Sequence, residues 1–347
     1  MKKRPLGSSQ LELSVLGLGT MTFGAEADEA TSHAILDHYT EAGGRFVDTA
    51  DVYSRGVSEE IIGRWLARTS VEGIVLATKA RFPMGDGPDD VGAGRKHLVK
   101  ALDASLGRLG VETIDLYQIH AWDPDTPLEE TLETLSDFVT AGKVRHVGVS
   151  NFLGWHLERA TQLADRNDWP RVVSLQPQYS LLAREIELDV LPLALELGVG
   201  ILPWSPLGGG WLTGKYTASQ RPTGATRLGE NPTRGVEAYD LRNNQQTWDV
   251  VDAVEKIAGD HDVVMSQVAL NWLRARPGVT SVLLGCRNVT QLDQNLGCLE
   301  WDLADSEMDE LNRVSAPGIP AYPHGFLETL ANVGSWSDLA TRAEPPL

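Results

Sequence analysis

The sequence predicts an α/β chain closed into a (β/α)8 barrel of the TIM type, with an N-terminal hairpin before it and a long loop after the seventh strand. Three observations predict this. Short apolar runs rich in β-branched residues alternate with longer segments of helical periodicity along most of the 347 residues. The runs are apolar throughout rather than alternating, as expected of strands buried on both faces. Eight such runs occur, which favours a closed parallel barrel with helices outside over an open sheet.

Residues 2–13 read as a small hairpin, with Gly7-Ser8-Ser9 as its turn and Leu11 and Leu13 in alternation beyond it, placed to plug the bottom of a barrel. The strand runs are Ser14–Thr20, Arg45–Ala50, Gly73–Lys79, Ile114–His120, Val144–Ser150, Val172–Gln176, Val199–Trp204 and Ser281–Leu284. Between them, Glu29–Glu41, Glu59–Thr69, Gly94–Arg108, Pro127–Ala141, Trp155–Asp165, Leu188–Leu197 and Trp248–Ala258 carry apolar residues at spacings of three and four. Breakers close several of these helices: Ala42-Gly43-Gly44, Gly110 and Ala141-Gly142. Residues 206–245, rich in Gly, Pro, Thr, Arg and Asn, form a long loop, and long loops without regular structure are functional or disordered. The Pro/Gly-rich tail 316–347 offers Phe326 and Trp336 as anchors. Length and composition suit one barrel domain spanning 1–347, since 42% hydrophobic residues are enough for a sizeable core.

Charge and cysteine usage narrow the function. A net charge of −18 gives no basic face for nucleic acid. No apolar run approaches the roughly 18 residues of a membrane helix. Nor does an apolar segment follow the charged start Met1-Lys2-Lys3-Arg4-Pro5 as a secretory leader requires. Cys286 and Cys298 make neither a disulfide framework nor a zinc spacing, so no metal is expected and a reducing cytoplasm fits.

Barrel active sites lie at the C-terminal ends of the strands. The polar residues there are Asp48, Asp51 and Tyr53 after the second run, Lys79 after the third and His120 after the fourth. Ser150 and Asn151 follow the fifth, Gln176 the sixth, Trp204 and Ser205 the seventh, and Gly285 and Arg287 the eighth. Lys79 closes the apolar run Ile74-Val75-Leu76-Ala77, so its charge requires a buried acid, and Asp48 on the neighbouring strand supplies one. An ammonium held near a phenol favours the phenolate and brings Tyr53 closer to proton transfer near neutral pH. His120 can donate to a carbonyl oxygen or relay a proton. The four together form an acid/base site without an activated nucleophile.

These residues resemble the aldo-keto reductase family. The matching segments are Leu16-Gly17-Leu18-Gly19-Thr20-Met21, Phe46-Val47-Asp48-Thr49-Ala50-Asp51-Val52-Tyr53 and Ala77-Thr78-Lys79. They continue with Asp115-Leu116-Tyr117-Gln118-Ile119-His120, Gly148-Val149-Ser150-Asn151, Pro203-Trp204-Ser205-Pro206-Leu207, and the stretch from Gly285 to Asn295. They stand in the family's order over residues 4–315, and the family fold is a (β/α)8 barrel. The resemblance implies a catalytic set of Asp48, Tyr53, Lys79 and His120, with Tyr53 as the general acid in reduction. It implies NADPH rather than NADH, bound extended across the barrel mouth, and no GxGxxG opens a βαβ unit here.

On the same motif matching, Gly19, Thr20, Met21 and Asp48 lie against the cofactor. Ser150, Asn151 and Gln176 hold the carboxamide, and Trp204 stacks on the nicotinamide. Ser205, Pro206, Leu207, Gly208, Gly209 and Gly210, with Leu212 and Lys215, wrap the pyrophosphate, the glycines allowing close backbone approach. Gly285, Arg287, Gln291 and Asn295 hold the adenosine end, where the guanidinium fork of Arg287 suits a 2′-phosphate. The substrate is a small carbonyl or alcohol compound. Met21, Tyr53, Phe23, Phe82 and Trp122 are candidates for an apolar substrate wall, while Asp51, Asp123 and Asp125 could instead hold sugar hydroxyls. The same residues serve a sugar or alcohol dehydrogenase running in the oxidising direction. A cofactor-sensing regulatory subunit is a further alternative, since some relatives of this fold serve ion channels. The sequence leaves the physiological substrate and oligomeric state open.

Overall fold

The computed structural model of the chain describes residues 1–331 apart from 225, 231, 232 and 234. Trp336 and the end of the tail lie outside the described residues. Strands β1 (Lys3–Pro5) and β2 (Glu12–Ser14) pair antiparallel with Arg4 opposite Leu13. The expected hairpin thus forms, and it plugs the barrel. Leu6 and Leu13 are fully buried against Phe46, Ala77, Leu116, Leu202 and Leu283, which project from the strands into the barrel's interior.

Eight parallel strands follow: β3 (Leu16–Gly19), β4 (Phe46–Asp48), β5 (Val75–Ala80), β6 (Ile114–Ile119), β7 (Val144–Ser150), β8 (Val172–Gln176), β9 (Gly200–Ile201) and β10 (Val282–Gly285). They pair in the order β10-β3-β4-β5-β6-β7-β8-β9. The two ends of that sheet are brought together by Ile201 N–H donating to Gly278 O (2.9 Å), Thr280 N–H to Ile201 O (2.9 Å) and Leu283 N–H to Pro203 O (3.1 Å). All eight expected runs contain a strand. The seventh shrinks from Val199–Trp204 to two residues, and Pro203 within it has no N–H to offer a ladder.

Helices α1 (Glu29–Glu41), α2 (Val57–Arg68), α3 (Arg95–Leu109), α4 (Leu128–Thr140), α5 (Gly154–Asn167) and α6 (Val190–Glu196) connect successive strands and lie within a few residues of their expected bounds. The expected stops operate: Gly110, just past α3, takes φ +66°, and Gly142, just past α4, takes φ +74°. At the other end of α1, the Asp28 side chain accepts from Thr31 N–H (2.9 Å), an N-cap.

Residues 206–245 are not the structureless loop expected. A 3-10 turn spans Gly208–Thr213, and short helices α7 (Arg227–Glu230) and α8 (Tyr239–Arg242) follow. Trp211 organises the segment. It is buried, stacks on Tyr239 at 5.5 Å, and donates through Nε1 to Glu237 O (3.1 Å). One indole fills a core position where the local composition signals only turns.

Beyond α9 (Gln245–Asp260), helices α10 (Met265–Arg274), α11 (Val289–Leu296), α12 (Asp305–Val314) and α13 (Phe326–Ala331) carry no expectation above. In α10, Met265, Val268, Ala269 and Trp272 stand at helical spacing opposite Gln267, Asn271 and Arg274, although packing buries Asn271 as well, whereas α12 buries Leu311 alone. Phe326, expected as an anchor, is half-exposed. Among the described residues, no helix is long and apolar enough to cross a membrane.

Candidate active site

The site is built at the C-terminal ends of β4, β5 and β6. Lys79 is fully buried and donates three hydrogen bonds: to Asp48 Oδ2 (2.6 Å), Thr49 O (2.8 Å) and Tyr53 Oη (3.3 Å). An ammonium has three donors, so none remains for water. Burial alone would push Lys79 down, but the charges and hydrogen bonds of Asp48 and Tyr53 outweigh it and hold the ammonium above its usual range. Asp48 is satisfied in turn, its Oδ1 accepting from Gln118 Nε2 (3.1 Å) and Gln176 Nε2 (3.0 Å).

Tyr53 opens a tight turn after β4. Ser54 and Arg55 take φ +50° and +54°, and Gly56 follows at +94°. Left-handed backbone at non-glycine residues is costly and persists where the surroundings impose it. Here Ser54 Oγ donates to Phe23 O (2.8 Å), fastening the turn. His120 lies edge-on to the Tyr53 ring, with centroids 5.7 Å apart. Its imidazole is held well below its ordinary pKa, by burial first and by the cations Lys79 and Arg81 second, so the ring is neutral. Four residues from three strand ends are thereby brought together.

A cleft of about 750 Å³ opens above them. Tyr53, Asp48 and His120 line its floor, and Lys79 lies beneath. Of the remaining candidates, Gly19, Thr20, Met21, Ser150, Asn151, Gln176, Trp204, Ser205, Pro206, Leu207, Gly209, Lys215, Gly285, Arg287, Gln291 and Asn295 line it too. Asn151 Nδ2 donates to His120 O (3.0 Å) and its Oδ1 accepts from Trp204 Nε1 (3.0 Å), which ties the rim to the floor. At the far end Arg287 sits 3.1 Å from Glu230 and 3.7 Å from Glu26.

Several candidates are placed elsewhere. Leu212 is fully buried in the core beside Trp211 and does not line the cleft. Phe23 is likewise fully buried. It acts through its carbonyl on the Tyr53 turn and offers no ring surface to a substrate. Trp122 lies flat on His156, with centroids 3.8 Å apart and 6° between planes, away from the cleft lining. Phe82 sets its edge against His120 at 4.7 Å, beside the floor. Asp51 is fully buried, and Asp123 is taken up by Ala93 N–H and Thr126 Oγ1, both at 2.7 Å, so neither is available to sugar hydroxyls.

The sequence reading missed Glu26, Thr213 and the start of α10, where Val264, Met265 and Ser266 line the cleft. The helical spacing of Met265, Val268, Ala269 and Trp272 was a usable signal for that helix; for Glu26 there was none. Among the described residues, no group of three or more His, Cys, Asp or Glu is placed to hold a metal ion.

Comparison with known proteins agrees with the barrel fold. The Aldo/keto reductase family profile matches residues 15–316. The chain is 37% identical over 319 residues to the uncharacterized oxidoreductase YrpG of Bacillus subtilis, covering 89% of this chain and 94% of that one. It is 31% identical over 343 residues to the versiconal hemiacetal acetate reductase of Aspergillus parasiticus, covering 91% and 98%. It is 33% identical over 307 residues to a probable voltage-gated potassium channel subunit beta of Arabidopsis thaliana, covering 86% and 92%. Barrel and relatives together define an oxidoreductase of the (β/α)8 class. The chain belongs to the aldo-keto reductase family, whose members carry out carbonyl reduction on small molecules with a nicotinamide cofactor.

Proposed function

We propose that this protein reduces an aldehyde or ketone to the alcohol with NADPH, and that Tyr53 is the proton donor. The observation that carries the reading is Tyr53 Oη 3.3 Å from the Asp48-paired ammonium of Lys79, on the floor of the cleft. An ammonium donating to a phenol oxygen stabilises the phenolate that remains after proton transfer. Tyr53 therefore gives its proton to the carbonyl oxygen, and takes it back when an alcohol is oxidised. A neutral His120 donates an N–H to the same oxygen without competing for the proton. Asp48 keeps Lys79 charged and in place.

The residues present fit a nicotinamide dinucleotide. Gln176 commits its Nε2 to Asp48 and Gln118, which leaves its Oε1 to accept from a carboxamide. A Cβ on Gly210 would meet Lys215 Cε at 2.3 Å, so glycine there lets the lysine fold over the loop's backbone. Arg287, between Glu26 and Glu230, would exchange those carboxylates for a 2′-phosphate, which favours NADPH over NADH. When bound, the cofactor supplies the hydride. Phe82, beside His120, forms part of the substrate wall. Cys286 and Cys298 are free and buried, which suits a reducing cytoplasm.

The test is a carbonyl and alcohol panel with both cofactors, run on wild type and Tyr53→Phe. The expected result is NADPH-dependent turnover that falls about 10²–10⁴-fold in the variant, the usual contribution of a positioned acid. Near wild-type reduction by Tyr53→Phe overturns the assignment. Tight NADPH binding without turnover of any carbonyl would instead favour a sensor role, as the channel-subunit relative suggests.

A further inference from the structure

Asp51, two residues before Tyr53, takes part in no step above. Its side chain is fully buried, and neither carboxyl oxygen has a well-formed hydrogen bond among the described residues, the nearby Val52 N–H favouring the carboxylate less than burial and Glu59 disfavour it. Its backbone N–H donates to Lys79 O (3.0 Å), so it is fastened between two groups of the site. Four charged or titratable groups bear on it. From α2 comes Glu59, fully buried, its carboxylate taken up by Thr78 Oγ1 (2.5 Å) and Arg108 Nε (2.7 Å). From α3 comes Arg108, already committed to Glu59, and from β5 comes Lys79, already committed to Asp48. From β6 comes Tyr117, fully buried, its hydroxyl without a partner among the described residues. Both cations near Asp51 are thus matched to other carboxylates. A charge on Asp51 would be a third carboxylate against two cations in a dry pocket, which is strongly unfavourable.

We propose that Asp51 is a positioning residue, held neutral behind the catalytic pair, and that its ionisation sets the pH range over which Tyr53 exchanges its proton. Burial first, and the charge of Glu59 second, push its carboxyl up to about 7. While Asp51 is neutral, the ammonium of Lys79 acts on Asp48 and Tyr53 alone. When Asp51 loses its proton to solvent, the added negative charge draws on Lys79 from behind and disfavours the Tyr53 phenolate. This role rests on the reading of Tyr53 as proton donor; the neutrality of Asp51 does not.

Two readouts on wild type and Asp51→Asn, a neutral isostere, test the proposal. The first is thermal stability of the protein alone against pH. Between the ordinary value of 3.8 and about 7, the unfolded chain releases a proton that the folded chain keeps. Asp51 therefore costs stability progressively as pH rises through that window, and the cost levels off above it. In Asp51→Asn this decline is absent, and the variant gains on wild type from pH 4 to 7. The second readout is NADP⁺-dependent alcohol oxidation. The rising limb of kcat/KM against pH moves down by about one unit in the variant, a tenfold change at fixed pH on the limb. Unchanged stability slopes overturn the neutral Asp51. An altered slope with an unmoved limb overturns its role in positioning. A limb that survives in Tyr53→Phe overturns the reading of Tyr53 instead, whatever Asp51 does. Should Asp51→Asn fail to fold, the infrared stretch of a protonated carboxyl decides on wild type: present at pH 6 and lost above 7 as expected, or absent at pH 6, which overturns the proposal.

Discussion

Lys79 and Asp48 illustrate how burial turns two ordinary side chains into a device. Exposed, such a pair contributes at most about 1 kcal/mol. Here both are sealed from water, and removing one partner leaves the other as an uncompensated charge. Lys79→Met should therefore destabilise the fold by about 3–5 kcal/mol, read by urea denaturation, besides abolishing turnover. A loss under 1 kcal/mol would show that Asp48 finds another partner. His120 titrates with the opposite sign to Asp51. Its folded-state pKa is depressed, so the folded protein resists protonation while the unfolded chain accepts it near the ordinary 6.5. Stability should fall as pH drops through about 6.5, and His120→Gln should flatten that acid slope. At this scale the candidate set was legible in the sequence, not from any one residue but because Asp48, Tyr53, Lys79 and His120 fall at successive strand ends on one face of the barrel. Phe23, Leu212 and Trp122 were misread because an aromatic or aliphatic residue near a strand end looks the same in sequence whether it faces a cleft or the core.

Elements succeed or fail by where their apolar residues end. The hairpin β1–β2 buries Leu6 and Leu13 inside the barrel, closing the end opposite the cleft. Leu13→Ala should cost about 2–5 kcal/mol, the range for a large core side chain cut back to a methyl. Urea midpoints with an unchanged m-value would report it. The segment 206–245 hangs on Glu237, whose carboxylate accepts from Gln178 Nε2 (2.6 Å) and Ser205 Oγ (3.0 Å) while its carbonyl holds Trp211. Glu237→Ala should leave the barrel's stability within about 1 kcal/mol, since the contacts lie in a peripheral segment. It should also weaken NADPH binding and speed proteolysis between residues 206 and 245; unchanged binding and cleavage would show that Trp211 holds the segment alone. The eight strands were legible as short apolar, β-branched runs, and the first six helices because each has one dominant period. Helix α10 was legible by the same rule, through Met265, Val268, Ala269 and Trp272. The 206–245 segment was not, since its order depends on distant partners such as Gln178.

At the scale of the whole molecule, the cleft joins parts of the barrel far apart in sequence: Tyr53 and His120 at one end, Arg287 at the other. A ligand spanning it should stabilise the entire fold. With NADPH at 100 times its Kd the gain is about 2.7 kcal/mol, visible as a rise in melting temperature. NADH at the same concentration should raise it less, and Arg287→Ala should erase the difference between the two cofactors. A difference that persists in the variant would assign the 2′-phosphate to another cation.

The sequence by itself determined the barrel, the family and the residues that meet on the cleft floor. Those depend on periods and on residue types at strand ends, and both are local properties of a chain. Only the tertiary structure decided which side chains meet water. Asp51 reads as a partner for sugar hydroxyls, yet packing places it in a pocket whose two cations already belong to Glu59 and Asp48. Arg287 reads as a phosphate fork, yet only folding sets it between Glu26 and Glu230 at the cleft's far end. Burial and counter-charge are sums over neighbours that the chain brings together only when it closes, and no stretch of sequence contains them.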